Sequence, residues 1–337
     1  MREMHESRDR NPTVSVVIPA YNTASYIAET LDSVFGQTFK DYEVIVVNDG
    51  SPDTPEFETA LAPYQDRLIY LKQENRGPGA ARNLGIRRAR GEFVAFLDGD
   101  DVWEPTYLER QLGMFRERPF LDLVYCDTRY FGGSPAVGKT FMEQHSLAAE
   151  VTFQTLVPHQ CGMLTSCVLA RKRAVVEAGL FGERFLRAED RDLWLRLAHR
   201  GGKLAYQRVV LARRRIHPGG LTVHRARMNE DEVGVLKNLL RELPLNDSDK
   251  ALVQDEIMKQ ETEILIAEGK RHVIAGDHKG AAGCFDKSRE LLRRTRLERK
   301  GTGSMRFLRM REGKLLASTL ALRALPTLAL TCLRRLG

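Results

Sequence analysis

The sequence predicts an α/β fold, a sheet of parallel strands covered by helices on both faces, followed by an all-helical C-terminal region. Three observations carry this expectation. Apolar, β-branched runs alternate with amphipathic stretches through the first third of the chain, the pattern of strands buried on both faces by crossover helices. The run Phe93-Val94-Ala95-Phe96-Leu97 ends in Asp98-Gly99-Asp100-Asp101, so a buried strand delivers three carboxylates to one turn. From about residue 225 onward strand-like runs cease and only helical spacing remains.

The elements follow in order. Residues 14–18 form a β-branched run stopped by Pro19, and 24–35 have helical spacing with Ile27, Leu31, Val34 and Phe35 on one face. A second strand at 42–47 ends in Asn48-Asp49-Gly50-Ser51. A helix at 55–64, a strand at 68–71, a helix at 80–89 and a strand at 92–97 come next. Ligands of such sheets sit outside the carboxyl ends of the strands. Tyr21-Asn22, Asp49-Gly50-Ser51 and Asp98-Gly99-Asp100 therefore share one edge. Asp101 is expected to cap a helix over 103–112. The middle third is less regular: a strand at 121–126, a glycine-rich loop or hairpin at 129–140, and a strand at 163–170 leading to a helix that runs through Gly179. Glu189-Asp190 leads into a helix over 191–200, ended by Gly201-Gly202. The last strand, 209–216, runs into His217-Pro218-Gly219-Gly220. Helices at 249–272 and 277–294 join at Ala275-Gly276-Asp277 as a single pair of tetratricopeptide type. No second copy follows, so no solenoid is expected.

Composition narrows the possibilities. The 337 residues are 42% hydrophobic and 29% charged, a globular composition. The net charge of +7 favours acidic partners such as nucleotide diphosphates, anionic lipid or nucleic acid. The basic residues concentrate toward the C-terminus without interleaved aromatics, which argues against nucleic acid. The five cysteines, at 126, 161, 167, 284 and 332, include no Cys-x-x-Cys pair. They are expected to form neither a disulfide framework nor a zinc site, and to lie in a reducing compartment. Residues 1–11 are polar and do not read as a signal peptide. The apolar stretch 315–333 carries Arg323 and Pro326. A central arginine costs ~2.5–3.5 kcal/mol in a membrane span, so this segment is expected to pack on the protein or lie on an anionic leaflet. No nucleophile elbow or Walker-type loop is visible.

Several residues suggest chemistry. Three adjacent carboxylates repel unless a cation sits among them, and oxygen ligands on a short loop suit Mg²⁺ or Mn²⁺. The competing reading is an ordinary Asp-Gly turn. Arg82 and Asn83 open a helix after Gly77-Pro78-Gly79, where glycine permits close approach and a helix N-terminus attracts phosphate. Asp49 could accept from a base N–H or a ribose hydroxyl, or merely hold its turn. Tyr21 could stack on a base or pack between strand and helix. Glu189-Asp190 is a second acidic pair, suited to general-base work or to capping the following helix.

Five motifs stand in one order: Val14-Ser15-Val16-Val17-Ile18-Pro19-Ala20-Tyr21-Asn22, Val46-Val47-Asn48-Asp49-Gly50-Ser51, Gly77-Pro78-Gly79-Ala80-Ala81-Arg82-Asn83, Asp98-Gly99-Asp100-Asp101 and Glu189-Asp190-Arg191-Asp192-Leu193-Trp194. In that order and spacing, over roughly 12–225, the chain resembles family 2 glycosyltransferases. The resemblance implies a GT-A fold, a Rossmann-like mixed sheet with helices on both faces, and inverting transfer from a nucleotide-diphospho-sugar donor, a UDP-sugar foremost. It implies that Pro19, Ala20, Tyr21 and Asn22 line the base pocket, that Asp49 meets the nucleoside, and that Gly79, Arg82 and Asn83 lie near the nucleotide. Asp98 and Gly99 would approach the ribose, with Asp98 also reaching the metal through water. Asp100 would ligate Mn²⁺ or Mg²⁺ directly, His217 would bind the metal or a phosphate, and Arg215 would stabilise the leaving group. Asp190 would be the general base, supported by Glu189. The implied acceptor is a glycan or lipid-linked glycan of the cell envelope, with transfer in the cytoplasm at the inner face of the plasma membrane; residues 305–336, read from their own pattern, would either pack on the domain or meet that anionic surface. Region 127–188 would set donor and acceptor identity. The domains expected are a disordered tail at 1–11, a catalytic domain at 12–225 from the resemblance, and, from helical spacing, a helical region at 226–300 and a basic amphipathic helix at 301–337.

Two rivals are weighed against this. A nucleotidyltransferase would carry a glycine-rich, basic loop after the first strand, where this chain has Pro19-Ala20-Tyr21-Asn22. A non-catalytic nucleotide-sugar or nucleic-acid binding module would not need Asp100 and Asp190 intact.

Overall fold

A computed structural model of the chain describes residues 11–133, 137–144, 150–220 and 225–298. It divides into two compact units, with the boundary between 224 and 225.

The first unit is built on one eight-stranded sheet. Its strands are β1 (Val14–Ala20), β2 (Tyr42–Asp49), β3 (Ile69–Gln73), β4 (Phe93–Phe96), β5 (Val102–Trp103), β6 (Leu123–Gly132), β7 (Val168–Arg171) and β8 (Leu204–Ile216), in the spatial order β3-β2-β1-β4-β7-β6-β8-β5. β1 lies parallel to β2 and β4, and β3 parallel to β2. All of β1 and the last six residues of β2 are buried, as expected for strands covered on both faces. The helices are α1 (Ile27–Phe35), α2 (Thr54–Leu61), α3 (Pro78–Arg88), α4 (Tyr107–Glu117), α5 (Phe141–Gln144), α6 (Phe153–Leu156), α7 (Lys172–Glu177) and α8 (Glu189–His199). α1 turns Ile27, Leu31 and Val34 inward, onto a core shared with Val16, Ile18, Val46 and Phe57. α3 lies tight against β1 because residue 85 is glycine: a Cβ there would stand 2.4 Å from Val17 Cγ1.

Beyond β4 the sheet becomes mixed, as the resemblance implies. β7 runs antiparallel to both β4 and β6, β8 is parallel to β6, and β5 is antiparallel to β8. The sheet is mixed. Val102 and Trp103 pair with Arg213 and Ala212, so the predicted helix at 103–112 begins only at Tyr107. Trp103 stacks on Tyr107 with centroids 3.9 Å apart and donates its indole N–H to the Ser166 carbonyl at 2.7 Å. β6 continues to Gly132, into the predicted loop or hairpin: Tyr130 exchanges backbone hydrogen bonds with Gly138 and Lys139, and β8, which starts early, pairs along β6 with register shifts around Asp127.

The second unit is helical: α9 (Arg225–Glu242), α10 (Asp247–Ile274) and α11 (His278–Glu298). Asn246 caps α10 by accepting the Asp249 N–H at 2.9 Å. Gly276, at φ 78°, lets the chain reverse into α11. Ile266, Val273, Ala281, Phe285 and Leu292 form the shared core of α10 and α11. Among the described residues no helix is long and apolar enough to cross a membrane. The expectations for 1–10 and 301–337, including those for 305–336, lie outside the described residues.

Candidate active site

The site forms at the carboxyl edge, where β4 stops. The turn is closed by the Asp101 N–H donating to the Asp98 carbonyl at 3.1 Å. The Thr30 hydroxyl donates to the Asp101 carbonyl at 2.8 Å and clamps the turn from α1. Gly99 is required for closeness: a Cβ would stand 3.0 Å from Thr23 Oγ1 and 3.2 Å from the Pro19 carbonyl.

The three carboxylates of this turn go different ways. Asp101 points into the protein, where it accepts from the Ser166 hydroxyl at 2.7 Å and the Arg215 N–H at 2.9 Å. It is no helix cap, since β5 follows it directly. Burial, reinforced by the Asp100 and Asp98 charges, pushes its carboxyl well above the usual range. Asp98 and Asp100 remain partly open, with side chains 38% and 23% exposed. Asp100 Oδ2 lies 2.8 Å from His217 Nε2, and the His217 ring rests on Tyr26 with centroids 4.7 Å apart. Arg215 donates from Nε to the Asp100 carbonyl at 2.9 Å and pairs with Glu29. Its guanidinium lies over Tyr26 and Phe131. Arg215 thus holds the backbone that carries Asp98 and Asp100.

Arg82 links this turn to the second acidic pair. Pro78 opens α3 and Arg82 follows one turn later, its side chain only 4% exposed. It donates to Asp98 Oδ1 and to Glu189 Oε1, each at 2.6 Å, and lies against the Phe181 ring. Burial opposes its charge, but Asp98, Glu189 and Asp190 hold it firmly protonated. Burial pushes Glu189 up to about 8, with Arg82 pulling it back and Asp190 adding to the rise. Arg82 therefore stays charged, while Glu189 holds a proton more firmly than an ordinary carboxylate.

Glu189 and Asp190 are the first residues of α8, not the approach to it. A helix N-terminus stabilises negative charge there. Asp190 accepts from the Thr165 hydroxyl at 2.9 Å and from the Arg191 N–H at 2.7 Å. Burial raises its pKa, against the opposing pull of Arg82. Asp192, two residues on, is buried and paired with Arg196 at 2.7 Å. The acids at the head of this helix thus split between structure, at Asp192, and the site, at Glu189 and Asp190.

The remaining predicted residues divide similarly. Tyr21 is 51% exposed, so it does not pack between strand and helix. Pro19 and Ala20 are buried at the end of β1, and the Asn22 N–H donates to Ser51 Oγ. Asp49 is buried and spends both oxygens on the loop after β3: Oδ1 accepts from Gln73 Nε2 and the Arg76 N–H, and Oδ2 from the Gly77 N–H at 2.8 Å. Asn83 is also committed internally. Its side chain donates to the Phe181 carbonyl at 3.0 Å and accepts the Phe181 N–H at 2.9 Å, pinning the approach to α8 where the resemblance implies direct nucleotide contact. Gly79 serves the same closeness: a Cβ would stand 3.0 Å from the Gly182 carbonyl and 3.2 Å from Glu189 Cγ. Its small size admits α8. Thr165 and Ser166, which orient Asp190 and Asp101, are invisible to sequence reasoning, being two small hydroxyls in an irregular stretch.

The donor set at the turn fits a hard divalent cation. Asp98 and Asp100 offer partly exposed oxygens, the ligand type that Mn²⁺ and Mg²⁺ prefer, and their charges crowd Asp101.

Comparison with known proteins agrees with this architecture. Residues 15–178 match the Glycosyl transferase family 2 domain. An uncharacterized glycosyltransferase of Rickettsia prowazekii is 34% identical over 219 residues, 63% of this chain and 66% of that protein. The chain thus spans just under two thirds of that relative, and 30% of another from Rickettsia bellii. The structure of S. aureus TarS 1–349 in complex with UDP-GlcNAc superposes with a TM-score of 0.63 at 19% identity, covering 96% of this chain and 89% of that one. The mannosyltransferase PcManGT of Pyrobaculum calidifontis, in complex with GDP-Man and Mn²⁺, gives 0.58 at 19%, covering 97% and 86%. At that identity these two show the fold, which is GT-A. Motif order, fold and domain match converge on residues 15–178 as a glycosyl transferase family 2 domain.

Proposed function

We propose that this protein is an inverting, metal-dependent glycosyltransferase. It moves a sugar from a nucleotide-diphospho-sugar, a UDP-sugar foremost, to a hydroxyl of a glycan or lipid-linked acceptor in cell-envelope polysaccharide synthesis. It works in the cytoplasm, peripherally at the inner face of the plasma membrane. The observation that carries this reading is the Asp98–Arg82–Glu189 chain of contacts, which ties the metal-type turn to the head of α8 where Asp190 is oriented by Thr165.

Asp190 takes the proton of the acceptor hydroxyl as its oxygen bonds to the anomeric carbon. The bond from that carbon to the diphosphate breaks, and its electron pair leaves with the nucleoside diphosphate. Burial raises the Asp190 pKa, which makes the carboxylate a stronger base. Arg82 keeps Glu189 and Asp98 at fixed separation, and exposed Tyr21 offers a ring face to the base. Asp49 shapes the nucleoside end by holding the Arg76 and Gly77 amides. Asp100, with Asp98 and His217, would hold Mn²⁺ or Mg²⁺, which supplies neutralisation of charge on the departing diphosphate. Complexes of similar folds with UDP-GlcNAc and with GDP-Man and Mn²⁺ support the donor class and the cation.

The test is a panel of nucleotide sugars with Mn²⁺ or Mg²⁺, reading the released product. Nucleoside diphosphate is expected; pyrophosphate would indicate nucleotidyl transfer and sink the reading. Calorimetry with UDP checks the cation: chelation, or Asp100→Ala, is expected to weaken binding by about tenfold or more, at least ~1.4 kcal/mol. Equal affinity with and without Mn²⁺ would remove the metal from the proposal.

A further inference from the structure

The helical unit holds a second cluster of ligand-type side chains. Glu268 and His272 stand four residues apart on α10 and share a face, and Cys284 comes from α11. A carboxylate oxygen, an imidazole nitrogen and the thiol sulfur all lie within 4.8 Å of one another. Glycine accounts for the closeness: a Cβ at Gly269 would stand 2.4 Å from the Phe285 ring, so the two helices approach without a side chain between them.

A fourth residue sets the histidine. Asp277 leads into α11, accepting the Gly280 N–H at 2.8 Å with Oδ1. Its Oδ2 lies 2.9 Å from His272 Nδ1. Gly280 keeps that approach open, since a Cβ there would stand 2.7 Å from Nδ1. A carboxylate on Nδ1 fixes the tautomer that presents Nε2 with its lone pair, the arrangement that supports metal-bound histidines. Among the described residues Glu268 has neither a hydrogen bond nor an ion pair.

We propose that Glu268, His272 and Cys284 bind a zinc ion that clips α10 to α11, with Asp277 orienting His272 and water in the fourth position. Sulfur with imidazole nitrogen and a single carboxylate suits zinc better than Mn²⁺ or Mg²⁺. Bonds of ~2.0–2.3 Å put tetrahedral ligand atoms about 3.3–3.8 Å apart, so closing the site needs about 1 Å of side-chain adjustment. Binding releases the Cys284 thiol proton to solvent and leaves the thiolate on the metal. The expectation that the cysteines form no zinc site rests on the absence of a Cys-x-x-Cys pair. This set needs only one cysteine. It is independent of the reading of the active site.

Cobalt substitution separates the two cation sites, because only a thiolate ligand gives a sulfur-to-cobalt charge-transfer band in the near ultraviolet. The full chain, stripped of metal under reducing conditions and titrated with Co²⁺, is expected to develop that band to one equivalent and to lose it when Zn²⁺ is added. The band should persist in Asp100→Ala and Cys332→Ser and vanish in Cys284→Ser. Asp277→Asn should weaken metal binding about 10–100-fold. Absence of the band in the wild-type chain, or its survival in Cys284→Ser, overturns the proposal. The wild-type result decides the matter even if a variant folds poorly.

Discussion

The two ligand clusters are assembled in opposite ways. In the α/β unit, Arg82 meets Glu189 across 107 residues of chain, and Asp100 meets His217 across 117. Each group sits on a different element, and the sheet alone brings them to one edge. In the helical unit, Glu268, His272, Asp277 and Cys284 fall within one helix-turn-helix, so helical periodicity and one tight turn suffice. The first cluster is built around the buried Arg82 guanidinium and is therefore bound into the stability of its unit. The second has no such buried side-chain cation at its centre and leaves Glu268, His272 and Cys284 half-buried. Distance along the chain thus separates a site the fold depends on from one the fold merely permits.

The largest expected effect tests the chemistry of the first cluster. Asp190→Asn should keep donor affinity and lose turnover by about 10²–10⁴-fold, the usual worth of a general base. Steady-state rates and UDP-sugar calorimetry on the same preparation check it. Because burial raises the Asp190 pKa, protonation removes the base above the ordinary aspartate value of ~3.9. The acid limb of the wild-type rate should lie above that pH and disappear in the variant. Wild-type turnover in Asp190→Asn would take the base assignment away.

Arg82→Met tests whether the first cluster is structural as well. It removes the buried cation that joins Glu189 to the partly open Asp98, and breaking a buried pair costs about 3–5 kcal/mol. Thermal or urea denaturation should show a large loss at neutral pH. A melting point within a degree or two of wild type would mean that the buried cation is not what holds the two acidic motifs together.

Thr165→Val is smaller and more specific. It removes one hydrogen bond to a charged carboxylate, worth ~1.5–3 kcal/mol. The expected reading is a fall in kcat of about tenfold or more with donor KM unchanged, and recovery in Thr165→Ser. A change in KM alone would place Thr165 on the donor instead of behind Asp190.

The smallest effect belongs to the second cluster. With chelator present, Glu268→Gln should shift stability by no more than about 0.5 kcal/mol, since a half-buried side chain with no ion pair contributes little. A large destabilisation under those conditions would show that the helical unit, like the α/β unit, depends on its ligand cluster.

Local periodicity, and the residue types that punctuate it, determine much of this protein. The alternation of apolar strands and amphipathic helices, the carboxylates after Leu97 and the change to helices near 225 are all legible in the amino-acid sequence. The order of the five motifs carries the family. Tertiary structure decides what periodicity cannot encode. Strand direction is one such property: β7 reads like its parallel neighbours yet runs antiparallel to β4, because a short apolar run carries no sense of direction. Partner choice is another. Asp98, Asp100 and Asp101 are nearly adjacent in sequence, but their backbone directions send one to Arg82, one to His217 and one into the core. Asp49 and Asn83 carry ligand-type side chains, and their hydrogen bonds go to the protein's own loops. A side chain's chemistry is fixed by its identity, whereas which groups it faces depends on contacts made across a hundred residues or more, and those exist only once the sheet is formed.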